Sequence, residues 1–105
     1  MPKIITKDDV KALAIGGTIL GGGGGGWPET GLRDGYLALE IGKVELWAPE
    51  EANPDWKVIT SAALGAPTEP GDTKPMHFIK AAQLLKDVGV EFHGLIAAEN
   101  GGQNS

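Results

Sequence analysis

The chain has no cysteine. Disulfides, thiolate metal sites and cysteine nucleophiles are therefore excluded, and a cytoplasmic location is the expectation. It has no apolar run long enough to span a bilayer. Residues 1–10, MPKIITKDDV, lack the long apolar core of a secretory signal. Aromatic residues make up only 6%, so a core must be mostly aliphatic. Basic residues are outnumbered, nine Lys and Arg against 14 Asp and Glu, giving a net charge of −5 with both signs interspersed. Nothing here forms the basic patch that phosphate neutralisation requires, which speaks against nucleic acid and anionic membranes as partners. The only histidines, His77 and His93, show neither H-x-x-x-H nor H-x-H spacing, so there is no metal signature and both read as structural. No serine stands in a G-x-S-x-G elbow.

What the chain has in excess is glycine, 17 residues of 105. Residues Gly21 to Gly26 form an unbroken run. Glycine loses the most backbone entropy on ordering, so such a run in a folded domain asks for a reason. Two readings stand side by side. Bare backbone N–H groups, chiefly those of Gly23, Gly24, Gly25 and Gly26, can approach an anion or a polar ring edge. Alternatively, the run is a flexible surface loop. It is not a Walker-type phosphate loop, because Trp27 follows Gly26 where Lys-Ser/Thr would stand. Its match to G-x-G-x-x-G is trivial. Trp27 either lids a pocket or staples the loop down.

The periodicities predict an α/β fold within a single small domain. Thr6-Lys7-Asp8-Asp9 reads as a capped helix start, followed by Val10, Leu13, Ala14 and Leu20 on one face. Gly16-Gly17 weaken this helix but would let another backbone pack closely, and the glycine run stops it. Pro28 keeps Trp27 out of helix. A second helix is expected over roughly residues 31–41, with Leu32, Tyr36, Leu37 and Leu39 as a ragged stripe and Gly42 as its stop. Residues 44–47 alternate as a short strand, and Pro49-Glu50-Glu51 can open a single helical turn. Residues 57–63 read as a buried strand. A proline-punctuated loop follows over 64–75, then a helix with Phe78, Ala81, Leu85 and Val88 on one face, ended by Gly89. Residues 92–98 read as another buried strand. Strand, helix, strand in that order predicts a βαβ crossover with parallel strands. Ligands gather beyond the carboxyl ends of such strands.

The loops placed there hold the candidate chemistry. Glu99, Asn100, Gln103 and Asn104 form the densest polar cluster. Glu99 can serve as a general base and the amides as donors, while Gly101 and Gly102 let backbone approach a ligand. The competing reading is a solvated turn. In the facing loop Gly65, Ala66 and Pro67 either wall a pocket or simply turn the chain. The ending after a strand, Glu99 to Ser105, suits a loop that leads into a further helix, with Asn104 or Ser105 as its cap. The expectation is accordingly an N-terminal fragment of a larger α/β domain, residues 1–105.

The order of these motifs resembles the N-terminal region of the S-methyl thiohydantoin desulfurase family. The shared elements are the Thr6-Lys7-Asp8-Asp9 helix start, the glycine-rich run, Gly-Ala-Pro-Thr at 65–68 and Glu-x-Gly-Gly-x-Asn-Ser at 99–105. The matching stretches are residues 5–26, 44–67 and 95–105. The resemblance implies an N-terminal three-layer α/β sandwich with a mostly parallel sheet, a further β-rich domain, and association with hydantoinase and oxoprolinase proteins. It also implies removal of sulfur from an S-methylated thiohydantoin, a small-molecule substrate; a non-catalytic binding or interface module of a hydantoinase-type assembly and an inactive truncated fragment stand as alternatives, and a homo-oligomer and a hydantoinase-type subunit are both open. No cofactor is assigned. Residues carried over are the glycine run, Gly65, Ala66, Pro67, Glu99, Gly101, Gly102, Asn104 and Ser105. There are departures. Trp27 precedes Pro28 where the family has aspartate and proline, Thr73 precedes Lys74 where an acidic residue is common, and Asn100 replaces an aliphatic residue. On this reading Glu99 activates water, and the glycine-run N–H groups with the Asn100 and Asn104 amides hold the ring.

Overall fold

The computed structural model describes residues 1–64 and 73–105. It is a small α/β structure. In chain order it comprises β1 (Lys3–Ile4), α1 (Lys7–Gly21), α2 (Pro28–Ile41), β2 (Glu45–Leu46), β3 (Val58–Ile59), α3 (Pro75–Asp87) and β4 (Gly94–Leu95). Among the described residues the strands form two two-stranded sheets. β1 and β2 pair antiparallel, with Lys3 opposite Leu46 and Ile4 opposite Glu45. β3 and β4 pair parallel, with Val58 opposite Gly94 and Ile59 opposite Leu95. The expected β–α–β unit is therefore present as β3, α3 and β4.

Helix α1 begins with a full capping box. The Asp9 N–H donates to Thr6 Oγ1 at 3.3 Å, and the Thr6 N–H and hydroxyl both donate to Asp9 Oδ2 at 2.9 Å. Lys3 Nζ reaches Asp9 Oδ1 at 2.7 Å. The Lys3 bond, followed by those from Thr6, holds the Asp9 carboxyl down at a pKa of about 2. The helix ends within the glycine run, where Gly22 takes the left-handed conformation of a C-cap (φ 62°) that a side chain would resist. Pro28 opens α2 one turn earlier than the sequence periodicity suggests, with Trp27 extended at the N-cap. Trp27 is 61% exposed, so it does not staple the loop down. Gly42 ends α2, but in extended backbone that any residue can adopt.

Two expectations need correction. The first concerns helix faces. In α1 the residues turned inward are Val10, Ala14 and Gly17, while Leu13 and Leu20 are exposed. In α3 the inner side is Phe78, Ala82 and Leu85; Ala81 is exposed and Val88 lies past the helix end. The second concerns the strands at 57–63 and 92–98. Each is regular over two residues only, and neither is buried: Val58, Leu95 and Ile96 all stand exposed. An apolar run signals a strand that can be buried, and whether anything covers it depends on distant contacts. The segment at 49–51 forms a turn, with Glu51 and Ala52 N–H groups donating to Ala48 O.

Among the described residues the buried apolar side chains are Val10 and Ala14. The accessible surface is 7623 Å², against about 5600 Å² for a typical folded monomer of this mass. The radius of gyration is 14.0 Å, against about 13 Å expected. No helix among the described residues is long and apolar enough to cross a membrane.

Candidate functional site

Glu99 stands four residues after Leu95, the last residue of β4, beyond the carboxyl end of the parallel pair. From there residues 100–105 fold back over the end of α1, the glycine run and the start of α2. Gly101, Gly102 and Asn104 are buried, whereas Glu99, Asn100 and Ser105 are exposed. The Gln103 and Asn104 N–H groups both donate to Gly25 O, at 3.1 and 3.0 Å. Gly101 N–H donates to Ser105 Oγ at 2.8 Å.

This fold-back requires backbone to lie on backbone. A Cβ at Gly17 would collide with Gly101 O and Ser105 Oγ, and one at Gly31 with Gly102 O. At Gly25, where φ is +78°, a Cβ would stand 2.5 Å from Gly101 Cα. The close approach anticipated from the Gly16-Gly17 pair is made at Gly17; Gly16 faces open space. The chain's own 100–105 segment thus occupies the concave side of Gly25 and Gly26. Gly23 is exposed with nothing near it, and Gly24 is exposed too, meeting only Gly21 O.

Asn104 is the one buried polar or charged side chain among the described residues, at 7% exposure. Its amide is fully committed on the donor side. Nδ2 donates to Ala63 O at 2.9 Å and to Glu99 Oε1 at 3.2 Å, while Oδ1 accepts from Ala63 N–H at 3.0 Å. It pairs with Ala63 as a strand neighbour would and, with the same nitrogen, holds one carboxylate oxygen. Glu99 Oε2 has no hydrogen-bond partner among the described residues.

Gln103 does similar work next door. Its Nε2 donates to Asp34 Oδ2 and Thr73 O, both at 3.0 Å. Arg33 also donates to Thr73 O at 3.0 Å and pairs with Asp34 through Nε at 2.8 Å. Ala63, Arg33, Asp34 and Thr73 carry no local sequence signal for this role. Arg33-Asp34 reads as an ordinary surface pair, and Ala63 and Thr73 contribute backbone.

The structure therefore gathers Glu99, Asn104, Gly25, Gly26, Gly101, Gly102 and Ser105 into one region. Asn100 meets Gly21 through its backbone oxygen. Gly65, Ala66 and Pro67 lie outside the described residues. Each histidine accepts a backbone N–H: His77 Nδ1 from Lys74 at 2.9 Å, and His93 Nδ1 from Lys57 at 3.1 Å. Both bonds place the neutral ring's proton on Nε2. Among the described residues no three His, Asp or Glu side chains converge as a metal site would require.

A second depression, about 490 Å³, is lined by Lys86, Gly89, Val90, Glu91, Phe92 and His93. It lies before β4 rather than after it and is walled by one continuous stretch of chain. Beside it, His93 stacks on Trp56 at 6.5 Å, and Trp56 meets Trp47 edge-on at 5.1 Å. The Glu99 end is the stronger candidate, because it combines a carboxylate held on one side with the carboxyl ends of parallel strands.

Comparison with known proteins agrees with the resemblance read from the motifs. The family model described as "S-Me-THD-like, N-terminal domain" matches residues 8–105, and the chain belongs to that family. No curated protein and no solved structure matches it.

Proposed function

We propose, with membership of the S-Me-THD-like family as the premise, that this chain supplies the carboxylate-bearing loop of a site for a hydantoin-like or thiohydantoin-like ring. The reaction would be S-methyl thiohydantoin desulfurase-like. Water attacks the ring carbon that bears sulfur, a C–O bond forms, the C–S bond breaks, and methanethiol leaves with a proton. Glu99 takes the proton from the attacking water through Oε2, as a general base. Of the glycine run, the exposed Gly23 N–H, together with the Asn100 amide, faces the polar edge of the ring; the Gly24 N–H donates to Gly21 O, and Gly25 and Gly26 lie against residues 100–103. The finer architecture that goes with this reading is a three-layer α/β sandwich with a mostly parallel sheet, of which β3 and β4 are one pair.

The observation that carries the reading is the placement of Glu99 after β4, with Oε1 held by Asn104 and Oε2 left over. The test is turnover of an S-methylated thiohydantoin by the protein expressed from its own gene, read as methanethiol release. Glu99→Gln should abolish turnover while leaving the circular dichroism spectrum unchanged. Wild-type turnover in that variant would remove Glu99 from the mechanism.

A second reading is favoured by a different observation. Val58, Ile79, Leu95 and Ile96 present apolar surface to solvent across β3, α3 and β4. That suits a non-catalytic binding or interface module of a hydantoinase-type assembly. Ring binding without turnover, together with co-purification of a larger hydrolase subunit, would favour this second reading over the first.

A further inference from the structure

We infer that Asn104 is a positioning residue for Glu99 and does not itself contact the substrate; this rests on the general-base role proposed for Glu99. The argument begins with the number of bonds an amide can make. A side-chain amide has two N–H donors and one oxygen acceptor with two lone pairs. Asn104 spends both donors, on Ala63 O and Glu99 Oε1, and its oxygen accepts from Ala63 N–H. With the side chain 7% exposed, no donor is left to face a ligand.

The support behind the amide is equally directed. The Asn104 backbone is pinned because its own N–H and that of Gln103 share Gly25 O. Gln103 fastens the same loop to Asp34 and to Thr73 O. Consecutive residues 103 and 104 thus tie the loop that follows β4 to Ala63, which lies beyond β3, and to Thr73, which precedes α3. Glu99 is otherwise an exposed side chain, free to sample several rotamers. One hydrogen bond from a buried, doubly anchored amide selects among them and leaves Oε2 as the reactive oxygen. Placing a reacting group in one geometry affects kcat far more than binding. The amide read from the sequence as a ligand contact therefore acts one step back from the ligand.

The experiment compares kinetics of the wild type, Asn104→Ala, Asn104→Asp and Glu99→Gln in the native protein, using the S-methylated thiohydantoin as substrate and unsubstituted hydantoin as competitor. Asn104→Ala should lower kcat about tenfold to a hundredfold, with KM and the hydantoin inhibition constant unchanged within about twofold. Asn104→Asp keeps an oxygen for Ala63 N–H but sets a second carboxylate beside Glu99. Its acid limb in the kcat pH profile should move to higher pH, a response that loss of packing alone would not produce. Should Asn104→Ala fail to fold, Asn104→Asp carries the test through the same kcat-against-KM split. A rise of tenfold or more in KM and the inhibition constant at unchanged kcat would make Asn104 a ligand contact and overturn the inference. Wild-type kinetics in both variants would overturn it as well. Failure of the underlying reading is separately visible, because Glu99→Gln would then turn over normally.

Discussion

The half of the molecule built from α1, α2 and the 100–105 loop differs in kind from the half built from β3, α3 and β4. Every buried described residue, namely Val10, Ala14, Gly17, Gly101, Gly102 and Asn104, lies in the first. The second has none, and its aliphatic side chains, among them Ile79 at 65% and Val88 at 76% exposure, stand in solvent. The two halves use different packing currencies. The first buries backbone against backbone through glycines and then satisfies the buried polar groups with Asn104 and Gly25 O. The second carries the apolar side chains of a normal core but packs them on one side only. Close backbone packing in this chain therefore belongs to the glycine half, and from that half Asn104 reaches the Glu99 carboxylate.

The sharpest way to break this contrast is to put a side chain where backbones meet. Gly31→Val would drive a Cβ into Gly102 O and should cost about 3 kcal/mol or abolish folding, read as the urea midpoint. Gly16→Ala on the facing helix should act oppositely, because nothing lies within 4 Å of its Cβ position; a gain of up to about 1 kcal/mol is expected from helix propensity. If both glycines respond alike, the close approach is not what holds the loop. Thr6→Ala removes the α1 cap and should cost about 1 kcal/mol by the same measurement.

Asp9 gives a pH-dependent version of the same test. Its carboxyl is lowered from 3.8 to about 2 by Lys3 and then Thr6. A depressed pKa means the stabilisation is complete above the unfolded value near 3.8 and is lost as pH falls through about 2. Thermal melts of wild type between those pH values should show a decline that Asp9→Asn flattens. The smallest effect is expected in the other half. Val88→Thr should shift the urea midpoint by less than about 0.5 kcal/mol equivalent, and a loss above about 1 kcal/mol would mean that this face is covered in solution.

Much of the local structure was legible in the residues. Thr6 with Asp9 marked the first cap, the glycine run marked the end of α1, Pro28 kept Trp27 extended, and the order of apolar runs foretold the parallel β3–α3–β4 unit. The strand β1 was missed, since Lys3–Ile4 is a strand only by pairing with Glu45–Leu46, more than forty positions away. On α3, Phe78 and Leu85 face inward as their spacing implies, while Ala82 rather than Ala81 completes that face, because α3 is apolar around more than one face. At the candidate site the polar cluster 99–104 was visible as composition. That Asn104 reaches back to Ala63, and Gln103 to Thr73, was not, because both partners offer backbone atoms that any residue would supply.

The glycine pair in α1 marks the boundary between the two kinds of knowledge. From the sequence alone, cap chemistry, helix stops, the absence of thiol chemistry and the order of strands and helices all follow, since each depends on neighbours a few positions away. Gly16 and Gly17 are indistinguishable at that range. Tertiary structure alone decides that Gly17 lies against Gly101 O while Gly16 faces open space. The same holds for Glu99, whose carboxylate is tethered by an amide that a segment folded over the glycine run carries back to it. Such contacts depend on where the chain returns in space, and no local spacing of residues encodes that return.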